Sequence, residues 1–150
     1  MNRARGVSLL ELLVVVALIA TLAGIGAMVI GRAMPGQELR AAARELAAEL
    51  RYTRAQAIAT GAEQVFRLDV DSRRWNAAGK REGALPTDIG LVATTARDGQ
   101  PVAREAAVRF FPEGAATGGR FVLSRGDAAW RVDVAWLTGE VTITRGEGRP

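Results

Sequence analysis

The chain has 150 residues, room for one modest domain, and its 49% hydrophobic and 24% charged residues exclude global disorder. It has no cysteine and no histidine, which excludes disulfides, thiolate nucleophiles, zinc–thiolate and haem–histidine sites, and any triad built on a histidine base. The formal net charge is +4 and the sequence pI about 10.8, with Lys80 the single lysine beside 19 arginines, a balance that by itself points to an anionic partner such as nucleic acid or a membrane surface.

In chain order, a short basic segment comes first, residues 1–6 with Arg3 and Arg5. Val7–Ile30 is then an apolar run of 24 residues broken by one charge, Glu11. As a helix it spans about 36 Å, enough for a bilayer core of about 30 Å. Basic residues stay on the cytoplasmic side, which puts the N-terminus inside and the rest of the chain outside. A cleaved secretory signal has a shorter apolar core and a small-residue cleavage site, which fits less well here. A plain signal anchor leaves Glu11 unexplained unless its carboxylate snorkels to the headgroups. A carboxylate costs about 2–3 kcal/mol on insertion scales at mid-membrane and less near the interface, so Glu11 calls for a partner.

Gly24, Gly26, Gly31 and the Pro35-Gly36 pair interrupt helical propensity where the apolar run ends. This is either an ordinary helix end or a hinge. From Gln37 to Thr60 the pattern becomes amphipathic, with Leu39, Ala43, Leu46, Leu50, Ala57 and Ile58 near one face and Arg40, Arg44, Glu45, Glu49, Arg51 and Arg54 mostly elsewhere. Gly61 suits the C-terminal stop. Such a helix needs a sheet to cover its apolar face.

Seven short strands are predicted downstream. Gln64–Val70 alternates with Val65, Leu68 and Val70 as apolar positions, Asp71-Ser72 suits a turn, and Arg74–Ala77 returns with Trp75. Ala78–Asp88 is polar and rich in turn formers. Ile89–Thr95 and Ala107–Phe111 flank a loop, Ala96–Glu105. Arg120–Ser124, Trp130–Trp136 and Val141–Arg145 complete the set, joined by turns carrying Gly126 and Gly139. The strand positions of Trp75, Trp130 and Trp136 point to the core. No βαβ alternation is present, so the predicted fold class is α+β: a long N-terminal helix on a mainly antiparallel domain of two small sheets.

Two motifs narrow the family. Arg5-Gly6 followed by Val7-Ser8-Leu9-Leu10-Glu11 and a long apolar run resembles the class III signal of type IV pilins and type II secretion pseudopilins. The resemblance implies that a prepilin peptidase cuts between Gly6 and Val7 and methylates the new N-terminus. Val7 stands where the family mostly has Phe. Glu11 then becomes the fifth residue of the mature chain, the glutamate that pairs with the N-terminal amine of a neighbouring subunit during filament assembly. The physics agrees: an ammonium and a carboxylate, each costly alone in lipid, offset one another across a subunit contact. Downstream, Phe110-Phe111-Pro112-Glu113-Gly114-Ala115-Ala116-Thr117-Gly118-Gly119 joins two strands, and on its own it reads as a glycine-rich β-connection. No helix or lysine follows it, so it is not a phosphate-binding loop. With Asp133–Val141 it is similar to the C-terminal signature of the GspH/FimT family of minor pseudopilins, Phe111, Pro112, Gly114, Gly118 and Gly119 carrying the loop motif.

The resemblance implies three segments: a leader at 1–6, a transmembrane and filament-core helix at 7–30, and a periplasmic pilin-like domain at 31–150 that includes the amphipathic helix 37–60. It implies a minor pseudopilin of the type II secretion system, anchored in the bacterial inner membrane and assembled near the pseudopilus tip. Its implied partners are the prepilin peptidase, the other minor pseudopilins and the major pseudopilin. The alternative is a FimT-like minor type IV pilin acting in pilus assembly or DNA uptake. The arginine bias, with Arg145 and Arg149 near the end, is the warrant for DNA, but Glu147 lies between them, and nucleic acid is the weaker reading. An enzyme is the weakest: Asp69 and Asp71 are two apart without a histidine or cysteine, and they read as a solvated edge leading into a turn. No cofactor, metal or catalytic residue is predicted. Removing Arg3 and Arg5 with the leader leaves 18 basic and 16 acidic residues, so the charge excess shrinks to +2 and loses most of its force as an argument for an anionic ligand.

Overall fold

The computed structural model describes residues 9–95 and 104–147, and the side chains of 9–22, 36–95 and 104–146. Among the described residues one α-helix, α1 (Leu9–Thr60), precedes eight strands: β1 (Gln64–Asp69), β2 (Arg74–Ala77), β3 (Arg81–Ala84), β4 (Gly90–Thr95), β5 (Glu105–Phe110), β6 (Gly119–Arg125), β7 (Ala128–Val134) and β8 (Val141–Glu147), with a single 3-10 turn, Ala78–Lys80, between β2 and β3. The chain divides into two compact units, 1–35 and 36–150. The glycines and Pro35 that predict an interruption fall inside the helical span of α1. In the first unit every described side chain from Leu9 to Leu22 is exposed, Glu11 among them, and the hydroxyl of Thr21 donates back to the carbonyl of Ala17.

In the second unit the strands form two sheets in the orders β3-β2-β1-β5 and β4-β6-β7-β8, every pairing antiparallel. The α+β class, the two small sheets and the amphipathic helix therefore stand as predicted. From α1, Leu39, Ala42, Ala43, Leu46, Ala47, Leu50 and Ala57 are buried, the three- and four-residue spacing of one helical face. They join a single core cluster with Phe66, Leu68, Trp75, Val108 and Phe110 of the first sheet and Phe121, Leu123, Val132 and Val141 of the second. Phe66 connects the sheets. It stacks on Trp75 within its own sheet, centroids 6.2 Å apart, and meets Phe121 of the other sheet edge-on at 6.3 Å, a favoured aromatic geometry.

Polar ties pin the helix to this core. Glu49 is nearly buried and accepts two hydrogen bonds from the Arg81 guanidinium, at 2.8 Å from Nε and 2.5 Å from Nη2, while that guanidinium lies 4.7 Å from the ring centre of Tyr52. Burying the carboxylate is tolerable because both oxygens are paired in a planar fork. Near the start of the unit, Arg125 bridges Glu38 of α1 at 2.8 Å and also pairs with Asp88. Arg40 lies 5.4 Å over the Trp130 ring.

The differences from the sequence prediction have local causes. β3 falls inside Ala78–Asp88, predicted as turns. It is an edge strand whose residues are mostly exposed, so it has no apolar alternation to read. Its Gly83 pairs with Trp75 and leaves room for the indole, since a Cβ there would stand 2.4 Å from the ring. In β1 the inward register belongs to Phe66 and Leu68, and Val65 is only half-buried. The predicted strand to Trp136 ends at Val134, and Trp136 is 68% exposed instead of lying in the core; Ile58, assigned to the apolar helix face, is 48% exposed. Most of the predicted loop Ala96–Glu105 lies outside the described residues.

Candidate functional site

The predicted loop motif is a tightly bonded structure. Pro112 follows the end of β5, where its missing N–H costs no ladder bond. The Phe111 N–H donates to the Ala115 carbonyl and the Gly114 N–H to the Phe111 carbonyl, both at 2.9 Å. Gly114 and Gly118 have φ of 90° and 80°, backbone that side-chain-bearing residues rarely adopt. Gly119 opens β6 close over Val108, where a Cβ would come within 3.1 Å of the valine Cγ2. Phe111 is half-buried, Gly114 and Gly118 are buried, and Pro112 and Glu113 face solvent.

The second signature segment locks onto the first. Between β7 and β8 the Gly139 N–H donates to the Ala135 carbonyl at 2.8 Å and the Ala135 N–H to the Glu140 carbonyl at 2.9 Å. The Ala116 N–H donates across to the Trp136 carbonyl at 2.9 Å. Two arginines of α1 close the assembly. Arg54 Nε donates to the Gly114 carbonyl at 3.0 Å, and an Arg51 terminal nitrogen donates to the Val141 carbonyl at 2.7 Å. The structure thus brings Gly114 and Gly139 together against the end of α1, and it adds Arg51 and Arg54, which the sequence pattern assigns to solvent. Only their position at the border of the buried face, beside Leu50, Thr53 and Ala57, hints at that role.

The other predicted site residues lie at the opposite end of the sequence. Glu11 is the one charge among the described residues 9–22 of α1, within an exposed apolar run. Gly6, Val7 and Ser8 lie outside the described residues. Among the described residues no helix is long and apolar enough to cross a membrane. The apolar side chains described run from Leu9 to Leu22, about 21 Å of helix; those of the remainder, 23–30, are not among them.

The acidic pair of β1 is a turn device. Asp69 accepts the Ser72 N–H at 2.7 Å, and this bond, with one from the Ser72 side chain, holds its carboxyl below the ordinary value of 3.8. Asp71 lies exposed within that same turn. Trp75 is buried and Trp130 half-buried under Arg40, so Trp136 is the one exposed tryptophan among the described residues.

A long N-terminal helix whose second half packs on two small antiparallel sheets defines a class of protein, the pilin-like subunits. The minor pseudopilin EpsH of the Vibrio cholerae type 2 secretion system shares the fold with a TM-score of 0.56 at 19% identity, over 72% of this chain and 97% of that one. The type IV minor pilin FimU of Pseudomonas aeruginosa does so with a TM-score of 0.56 at 16% identity, over 75% of this chain and 95% of that one. The N-terminal residues 1–30 match the prokaryotic N-terminal methylation motif. The chain belongs to the GspH family of type II transport proteins, whose model matches residues 42–139. A type II secretion system protein H from Xanthomonas campestris pv. campestris is 49% identical over 137 residues, 91% of this chain and 81% of that protein. The family is one of structural pseudopilins, and this chain is a type II secretion protein H homologue.

Proposed function

We propose that this chain is a minor subunit placed near the tip of the type II secretion pseudopilus, cut between Gly6 and Val7 by a prepilin peptidase and N-methylated on Val7. Residues 7–30 form its single membrane span before assembly and its share of the filament core afterwards. The N-terminus is cytoplasmic and the domain from 31 onward is periplasmic. Arg3 and Arg5 set that orientation and leave with the leader. The other minor pseudopilins and the major pseudopilin are its neighbours, and the filament they build drives folded proteins through the outer membrane.

The observation that carries this reading is Glu11: one carboxylate in a helical stretch whose described apolar side chains from Leu9 to Leu22 are all exposed. In the membrane it is a liability; beside the ammonium of a neighbour's Val7 it becomes a matched charge that favours one register between subunits. The motif loop, with Phe111, Pro112, Gly114, Gly118 and Gly119, has a different role: it fixes the far end of α1 to the sheets.

The test is made in cells. Glu11→Ala inserts in the membrane normally but loses incorporation into the pseudopilus; wild-type incorporation and secretion by that variant overturn the assembly role. Replacing Gly6 with a bulky residue leaves a precursor that migrates more slowly and lacks N-methylation, and unchanged mobility overturns the cleavage site.

A further inference from the structure

Trp136 and Leu137, 68% and 66% exposed, sit side by side in the segment between β7 and β8. Ile58, 48% exposed, borders the same locked assembly: a Cβ on Gly114 would lie 3.4 Å from Ile58 Cδ1 and one on Gly139 would lie 2.2 Å from the Gly114 carbonyl oxygen. Their presentation is fixed. The Trp136 carbonyl is held by the Ala116 N–H and the turn behind it by the Gly139 N–H, while Arg54 holds the adjoining loop at the Gly114 carbonyl. Large apolar side chains on a preformed surface lose little conformational freedom on binding, and tryptophan is prominent among residues that dominate interfaces.

The charge around the patch defines what fits it. Glu113 and Glu140 are exposed on the two loops, and neither forms an ion pair among the described residues. The nearby Arg54 and Arg51 donate inward to the Gly114 and Val141 carbonyls. A symmetric self-dimer through this patch would set Glu113 and Glu140 against their own copies, an unfavourable arrangement. Elsewhere in the second unit, a second copy offers Val92 as its one other exposed large apolar side chain among the described residues. Val92 shares a cross-strand row with Arg131, and both Arg131 and the neighbouring Arg120 are already engaged by Asp133.

We propose that Ile58, Trp136 and Leu137 form the docking surface for a different subunit of the same filament, one whose complementary face is apolar with arginine or lysine at its rim. The proposal rests on the pseudopilus reading above and adds the surface and the chemistry of its partner.

The full chain in detergent micelles, immobilised and titrated with each purified pseudopilin of the same secretion system, provides the test. At least one subunit binds the wild type, and Trp136→Ala and Leu137→Ser each weaken that binding about tenfold or more. The double variant Glu113→Arg, Glu140→Arg weakens it too, and Val92→Ser does not. All these positions are exposed, so unchanged thermal unfolding confirms that the variants fold. Wild-type affinity in Trp136→Ala and Leu137→Ser overturns the docking surface, as does a wild type whose patch mediates self-association instead. Undiminished binding by the charge-reversed double variant overturns the basic rim assigned to the partner. A wild type that binds none of the subunits while remaining folded overturns the pseudopilus reading itself, and the proposal with it.

Discussion

Gly139 lies so close to Gly114 that a Cβ on it would stand 2.2 Å from the Gly114 carbonyl oxygen and 2.9 Å from Arg54 Nε. Gly139 also has φ of 63°. Alanine there meets two penalties, the left-handed backbone and a contact that forces the two loops apart. Gly139→Ala is expected to destabilise the domain by about 2–4 kcal/mol, read by denaturant unfolding followed through tryptophan fluorescence. Gly126→Ala is the control: its φ is 56° but nothing lies within 4 Å of the added methyl, so about 1 kcal/mol is expected.

The side chain of Arg54 is predicted to hold the motif loop in a way lysine cannot reproduce. Its Nε is the atom that donates to Gly114, and a lysine amine at the end of a flexible stem has no equivalent fixed donor. Arg54→Lys and Arg54→Ala are expected to cost about 1–2 kcal/mol and to speed amide exchange at Gly114, Ala116 and Gly139. Exchange rates equal to wild type in both variants would refute the tie.

For Glu49 and Arg81 the prediction is an order. Arg81→Met leaves a nearly buried carboxylate without its fork and destabilises the domain; adding Glu49→Leu restores much of the loss by removing that charge from an apolar setting. Thermal unfolding of the single and double variants decides it, and a double variant less stable than Arg81→Met would reverse the order.

Acid sensitivity has one identified source at Asp69. Its carboxyl is lowered in the folded state by the Ser72 hydrogen bonds, and the unfolded chain carries the ordinary value of 3.8. Between the two values the unfolded chain takes up the proton first. The contribution is therefore complete above the unfolded value and is lost as pH falls through the folded one. The stability difference between wild type and Asp69→Asn is expected to stay constant from neutral pH down to about 5 and to shrink below 3.8.

The sequence reveals the parts of this molecule that repeat a period or a spacing. Leu39, Ala43, Leu46 and Leu50 recur at helical intervals, and the Gly6-to-Glu11 spacing reads directly against a long apolar run. β3 has no such signal, because an edge strand with Gly83 under an indole buries no alternating face. Trp136 is misread for a related reason: its aromatic ring continues the strand pattern, but the backbone turns after Val134 to bring its carbonyl to Ala116. Arg54 is legible only as a charge on a helix. Its role depends on a carbonyl sixty residues away in sequence, and no local pattern encodes that distance.

The polar ties along α1 have a mechanical consequence. Glu38, Glu49, Arg51 and Arg54 engage Arg125, Arg81, Val141 and Gly114, so the attachments are spread over sixteen helical steps, about 24 Å. An axial load on this stretch of helix is shared by all four attachments at once, in shear, together with the apolar face between them. Peeling would break them one after another. The domain is thereby riveted to its helix against axial pulling.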